Sequence, residues 1–179
     1  MRDFEKGKLL NRKVFYSGRI VGLHVDEIEI QGSKTIREVV SHPGGVVVLA
    51  EVEDGRIPFV RQYRYPIGKD LLELPAGKID RGEDPSLGAA RELEEETGFR
   101  ARRLDLVCTF YSSPGYCDEL LYLYYTDDVC QTETNYEYDE EIVLEYYTLS
   151  QAIALTLEGE IQDGKTIAAL FWLYHRRNQ

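Results

Sequence analysis

Residues 84 to 98 carry a complete set of helix boundary signals, and the rest of the chain has to be arranged around them. Asp84 is an N-cap type whose carboxylate accepts from first-turn N–H groups. Pro85 suits the first helical position, where its missing N–H costs nothing, and Gly98 suits the left-handed residue that closes the end. The segments before this helix read as β. Residues 13–30, "KVFYSGRIVGLHVDEIEI", alternate apolar and polar with a break at Ser17-Gly18, and the polar turn "QGSK" leads into an extended "TIREVVSH". In "GGVVVLAEVEDGRIPFVRQYRYP", Asp54-Gly55 between two β-rich runs predicts a hairpin. Strands resume at "RLDLVCTFYSS", "ELLYLYYTDDV" and "EIVLEYYTL", with the acidic "QTETNYEYDEE" before the last of them. Two helices follow, "LSQAIALTLEGE" and "DGKTIAALFWLYHRR", the second with Ile167, Leu170, Phe171 and Tyr174 at helical spacing. Sheet with flanking helices means α/β or α+β.

At 179 residues the chain fits one domain with a small extension. Its 21 Lys and Arg against 32 Asp and Glu leave a net charge of −11, which argues against broad binding to nucleic acid or to an anionic membrane. A phosphate-bearing substrate must therefore be met locally, by metal ions or a few arginines. No apolar run reaches the length of a membrane span or of a signal-peptide core, so cytoplasmic residence is the expectation. Cys108, Cys117 and Cys130 match neither a disulfide framework nor a zinc spacing, and buried, reduced thiols are expected.

On a helical wheel Leu87, Ala90, Leu93 and Thr97 gather on one side, expected to be buried, while Glu92, Glu95 and Glu96 share the other. Like charges three and four apart destabilise an isolated helix by a few tenths of a kcal/mol, and here they lie toward the helix carboxyl end, where the macrodipole also disfavours anions. A solvated acidic face and a cation site both fit that pattern. Gly88 falls inside the acidic arc, where it weakens the helix but allows close approach of a ligand or backbone. Clustered oxygen ligands beside open space suit Mg²⁺ or Mn²⁺, often completed by substrate phosphates.

The whole stretch "GKIDRGEDPSLGAARELEEETGF" resembles the Nudix box at every defined position, from Gly77 and Glu83 through Arg91-Glu92-Leu93 and Glu95-Glu96 to Gly98-Phe99. The resemblance implies a Nudix hydrolase, an α/β/α sandwich with a mixed sheet that cleaves a nucleoside diphosphate linked to another moiety. By matching position Glu92, Glu95 and Glu96 are the implied metal-binding carboxylates, with the Ala76 carbonyl as the backbone ligand and Glu92 and Glu96 central to catalysis. Glu83 and Arg91 are expected to pair and brace the loop, Gly77 and Gly98 to serve the turn and the cap, and Glu94 has no assigned role.

The flanks narrow the likeness. "ELPAGK", "VRQYRYP", Pro114 and the late "GEIQDGKTIAALFWL" resemble the ADP-ribose pyrophosphatase branch, a likeness that runs from about Thr35 onward. It implies cleavage of ADP-ribose to AMP and ribose 5-phosphate. The rivals are hydrolysis of another nucleoside diphosphate sugar and a non-catalytic ADP-ribose-binding regulator. Residues 1–40 would form a β extension that reaches a second subunit, making a homodimer, with residues 41–179 as the hydrolase domain. Arg61 and Arg64, three apart, should face opposite ways in a strand. Arg64 is favoured as the phosphate ligand and Arg61 as a salt bridge, while Glu73 and Arg37 line the site or form structural ion pairs. The branch also carries a catalytic glutamate on a late loop. Among Glu137, Asp139, Glu140 and Glu141, Glu140 is chosen by its offset from Ile142. Phe15, Tyr16 and Tyr116 are candidates to stack an adenine, and His24, His42 and His175 are expected to serve packing or surface roles.

Overall fold

The computed structural model describes residues 6–132 and 142–179. They fall into two compact units, one made of the chain up to Gly44 with Tyr111–Leu120, the other of Gly45–Phe110 with Leu121–Gln179.

The first unit is an antiparallel meander of β1 (Lys8–Ser17), β2 (Gly22–Ile30) and β3 (Ser33–Ser41). Its second turn is tight because Gln31 (φ 52°) and Gly32 (φ 73°) both take left-handed backbone, the conformation a two-residue hairpin needs. Arg12 forks onto Asp26 across β1 and β2, at 2.7 Å on each arm. Val40 accepts the Asp118 N–H and donates to Tyr116, tying the 111–120 segment to β3. Every residue of β1 is exposed, Val14, Phe15 and Tyr16 each by more than half.

The second unit is built on β4 (Gly45–Ala50), which is wholly buried. β4 pairs antiparallel with β7 (Ala76–Lys78) and parallel with β10 (Leu120–Thr126), and β9 (Asp105–Tyr111) completes the order β7-β4-β10-β9. Burial on both faces explains why its sequence is continuous apolar rather than alternating. Val47 and Leu49 point into a core with Ala152 of α2 (Leu149–Glu158) and Ala169, Leu170 and Leu173 of α3 (Gly164–Arg177). Val46, Val48 and Ala50 face Ala89 and Leu93 of α1 (Pro85–Thr97). Helices on both faces of a mixed sheet make the α/β/α sandwich that the family resemblance implied.

A second sheet, β12-β5-β6, holds β5 (Ile57–Arg64) between β12 (Ile142–Tyr147) and β6 (Lys69–Glu73). β8 (Phe99–Ala101) pairs with β11 (Val129–Gln131). Asp54-Gly55 does make a tight turn, with Gly55 donating to Val52 O at 2.8 Å, but β4 and β5 are not a hairpin. Both edges of β4 are already taken by β7 and β10, so β5 leaves for the other sheet. The buried stripe of α3 is also shifted from the expected one: Thr166, Ala169, Leu170 and Leu173 are buried, whereas Phe171 and Tyr174 are 42% and 48% exposed. Among the described residues no helix is long and apolar enough to cross a membrane.

Candidate active site on β7 and α1

The predicted punctuation of α1 is present. Asp84 accepts from Ser86 N at 2.8 Å, Pro85 opens the helix, and Gly98 closes it at φ 69° with its N–H on Glu94 O. The face it buries is rotated from the one expected. Ala89, Leu93 and Thr97 are buried, but Leu87 is 65% exposed, and Glu96 belongs to the buried side at 3% exposure rather than sharing a solvent face with Glu92 and Glu95. Ala89 and Leu93 pack on Val46, Val48 and Ala50, and Glu96 on the same side is held by the Ala76 N–H. An apolar wheel cannot register that bond.

Two of the predicted ligands therefore meet the short strand β7 rather than open water. Glu96 Oε2 accepts the N–H of Ala76 at 3.0 Å. The Glu92 carboxyl lies over the next residue, Gly77, so closely that a β-carbon there would come within 2.1 Å of it. Gly77 is thus needed for close approach and not for the turn geometry first expected, while Gly98 has the expected positive φ.

Arg91 lies at the centre of the remaining charges. Its Nε and Nη2 reach the two oxygens of Glu83 at 3.1 and 3.2 Å, and its Nη1 is shared between Glu92 Oε1 (2.8 Å) and Glu95 Oε2 (3.0 Å). Its Nη2 also donates to the carbonyl of Lys78 at 3.3 Å, tying the helix to the end of β7. Glu83 accepts the Asp80 N–H at 2.9 Å as well, so it closes the loop before the helix, as the expected brace should. The guanidinium, helped by that N–H, holds the Glu83 carboxyl below its usual range. Gly88 leaves room for this brace, since a β-carbon there would stand 3.0 Å from Glu83 Oε2. Glu94 has a partner that the sequence reading missed, a fork from Arg100 at 2.7 and 2.9 Å.

Around Arg91 three carboxylates share one guanidinium, and buried Glu96 adds a fourth negative charge nearby on the same helix. Among the described residues no three acidic, His or Cys side chains stand close enough to hold a metal by themselves. The donor chemistry nonetheless suits Mg²⁺ or Mn²⁺, which take one or two carboxylates and complete their shell with carbonyls, water and substrate phosphates. Of the expected ligands, Glu92 and Glu95 stand together on Arg91 and could supply such a pair, while Glu96 is turned to the N–H of Ala76.

The predicted arginines occupy separate places. Arg64 forks onto Glu73, Nε to Oε1 at 2.7 Å and Nη2 to Oε2 at 2.9 Å. Glu73 is 1% exposed and takes a second cation, Lys165 of α3, on Oε2. Burial alone would push the Glu73 carboxyl up, but Arg64 and Lys165 together outweigh it and hold it low. Arg61 pairs with Glu145 of β12, which also accepts from the Tyr147 hydroxyl. Arg37 lies in the first unit, donating to Ile36 O at 2.8 Å and Thr35 Oγ1 at 3.3 Å. Lys165 and Asp163 were missed; they lie inside the quoted "GEIQDGKTIAALFWL", but only the β6–α3 packing shows where they point.

Glu140, with Glu137, Asp139 and Glu141, lies outside the described residues. Phe15, Tyr16 and Tyr116 are all more than half exposed in the first unit. All three cysteines are free, but they are not buried as expected: Cys108, on the edge strand β9, is exposed, and Cys117 and Cys130 are half-buried. His24 is buried with Nε2 3.6 Å from Asp26, and His42 lies 3.3 Å from Glu119.

A family model described as NUDIX domain matches residues 41–170. The chain is 38% identical over 176 residues to the ADP-ribose pyrophosphatase of Bacillus subtilis (strain 168), covering 97% of this chain and 95% of that protein. It is 39% identical over 173 residues to the methanol dehydrogenase activator of Bacillus methanolicus, covering 95% and 93%. A solved structure described as an ADP compounds hydrolase shares the fold with a TM-score of 0.85 at 20% identity, covering 98% of this chain and 96% of that one.

Proposed function

The chain belongs to the Nudix family, and on that premise we propose that it hydrolyses the diphosphate bond of ADP-ribose to AMP and ribose 5-phosphate, using Mg²⁺ or Mn²⁺. The observation that carries the reading is the meeting of β7 and α1, where Glu96 and Glu92 face successive residues Ala76 and Gly77, with Glu95 alongside. The Bacillus subtilis relative, matched over nearly its whole length, supports the choice of substrate.

When bound, a divalent ion lowers the pKa of water and neutralises charge on the diphosphate. The chain's own residues supply the rest. Arg91 holds Glu92 and Glu95 side by side, which two carboxylates on one helix face would otherwise resist. The Ala76 N–H fixes the Glu96 carboxylate, so its orientation is set before any ligand arrives. Arg64 presents a guanidinium suited to phosphate oxygens in a protein whose net charge is otherwise strongly negative. Glu140 is the proposed residue that orients or deprotonates the attacking water. Residues 1–40 are proposed to pair with a second copy, a reading supported by the wholly exposed β1. Free cysteines support a reducing, cytoplasmic setting.

A second reading, regulation of a dehydrogenase, is supported by the Bacillus methanolicus relative. The test is a panel of ADP-ribose, ADP-glucose, GDP-mannose and diadenosine tetraphosphate incubated with Mg²⁺. ADP-ribose is expected to turn over fastest. Preference for a hexose nucleotide overturns the substrate assignment, and no turnover of any compound overturns the enzyme reading in favour of the regulator.

A further inference from the structure

Arg64 reaches the substrate in this account, yet two of its three nitrogens are spent on Glu73, and what lies behind Glu73 decides how much of its charge is left. Glu73 ends β6 and is 1% exposed. Its Oε1 takes Arg64 Nε, and its Oε2 takes both Arg64 Nη2 and Lys165 Nζ. Lys165, in the first turn of α3, also lies 2.9 Å from Asp163 Oδ1. Asp163 is the N-cap of that helix, accepting from Thr166 N at 3.0 Å and Thr166 Oγ1 at 2.6 Å on its other oxygen. Thr166 Oγ1 in turn accepts the N–H of Leu74, the residue after Glu73, at 2.9 Å. A closed circuit results: β6 is held to α3 by one bond through Leu74 and another through Glu73, and Arg64 hangs from the second.

The circuit contains two anions, Glu73 and Asp163, and two cations, Arg64 and Lys165. With Lys165 present, Glu73 divides its charge between two partners. Without it, a buried carboxylate would be left to Arg64 alone, and the guanidinium would be both neutralised and drawn inward. Among the described residues Arg64 Nη1 has no protein partner, and the Arg64 side chain keeps 36% of its surface exposed, whereas Lys165 keeps 15%. The lysine is thus the inner cation and the arginine the outer one.

We infer that Lys165 is a positioning residue for the diphosphate: by sharing Glu73 it holds the Arg64 fork in place and keeps the outer edge of that guanidinium turned outward, where it can donate to a phosphate oxygen. The inference rests on the proposed hydrolysis of ADP-ribose. It predicts a defect in substrate binding rather than in bond cleavage, because Lys165 acts on a pre-formed interaction and touches no reacting atom.

The experiment is steady-state kinetics on the full chain with ADP-ribose and Mg²⁺. Lys165→Met should raise KM about tenfold, the scale of one weakened charge-assisted hydrogen bond, with kcat within about twofold of wild type. Lys165→Arg should recover most of the loss. In an Arg64→Ala background, which itself raises KM, adding Lys165→Met should raise it no further, since the lysine works through the arginine. Lys165→Gln, which keeps a donor while removing the charge, serves if Lys165→Met lowers the Tm. KM unchanged in the folded lysine variants, or penalties that multiply in the double variant, overturns the inference and leaves the proposed hydrolysis standing. Failure of the wild type to cleave ADP-ribose overturns both.

Discussion

Two acid-rich regions of the second unit are built from the same residue types to opposite ends. Around Arg91, three carboxylates, Glu83, Glu92 and Glu95, converge on one guanidinium, so negative charge is left over. Around Glu73, two carboxylates meet two cations, and the charges cancel. The balanced group is deep, with Glu73 1% exposed, and the surplus group is at the surface, where Glu95 keeps 30% of its side chain exposed. A buried charge that is paired and hydrogen-bonded needs nothing further, whereas an exposed surplus is costly to the isolated helix and is relieved when a cation arrives. The balanced region holds local shape, and the surplus region is the one proposed to take a cation.

Breaking the balanced region should cost the fold most. Glu73→Ala leaves Lys165 and Arg64 without their shared anion and should lower stability by about 3 kcal/mol, read as a fall in Tm of roughly 6 to 12 °C. The pH dependence follows from the same pair. A carboxyl held below its unfolded value contributes stability that is complete above that value, about 4.3, and is lost as pH falls through the lower folded value. The gap in stability between wild type and Glu73→Gln should therefore begin to narrow below about pH 4 and go on narrowing as pH falls, and a gap that stayed constant through acid would show that Glu73 is not held ionised.

Disturbing the surplus region should cost activity instead. Gly77→Ala places a methyl where the Glu92 carboxyl now lies. The side chain can swing aside, so Tm should change little, while turnover of ADP-ribose should fall about 10- to 100-fold through a misplaced ligand. Loss of Tm with turnover intact would mean that the contact serves only packing.

Legibility in the sequence followed the range of the interaction. The caps of α1 and the Glu83–Arg91 brace are short-range, and both were readable from Asp84, Pro85, Gly98 and an eight-residue spacing. The face of α1 was not, because Glu96 is buried by the approach of β7, whose Ala76 lies twenty residues away. Asp54-Gly55 signalled a turn correctly but could not say that both edges of β4 were occupied. Gly77 was recognised as a required glycine for the wrong reason, since only the folded chain shows Glu92 above it. The Arg64–Glu73–Lys165 group spans 92 residues between its two later members and left no local pattern.

The central claim is that the charge surplus on α1 holds a divalent ion, and Mn²⁺ tests it without reference to any substrate. Free Mn²⁺ measured by electron paramagnetic resonance should fall on adding the wild-type protein, and Glu92→Gln should weaken that binding at least about tenfold while retaining the wild-type Tm. Equal Mn²⁺ binding by the folded Glu92→Gln variant would contradict the account.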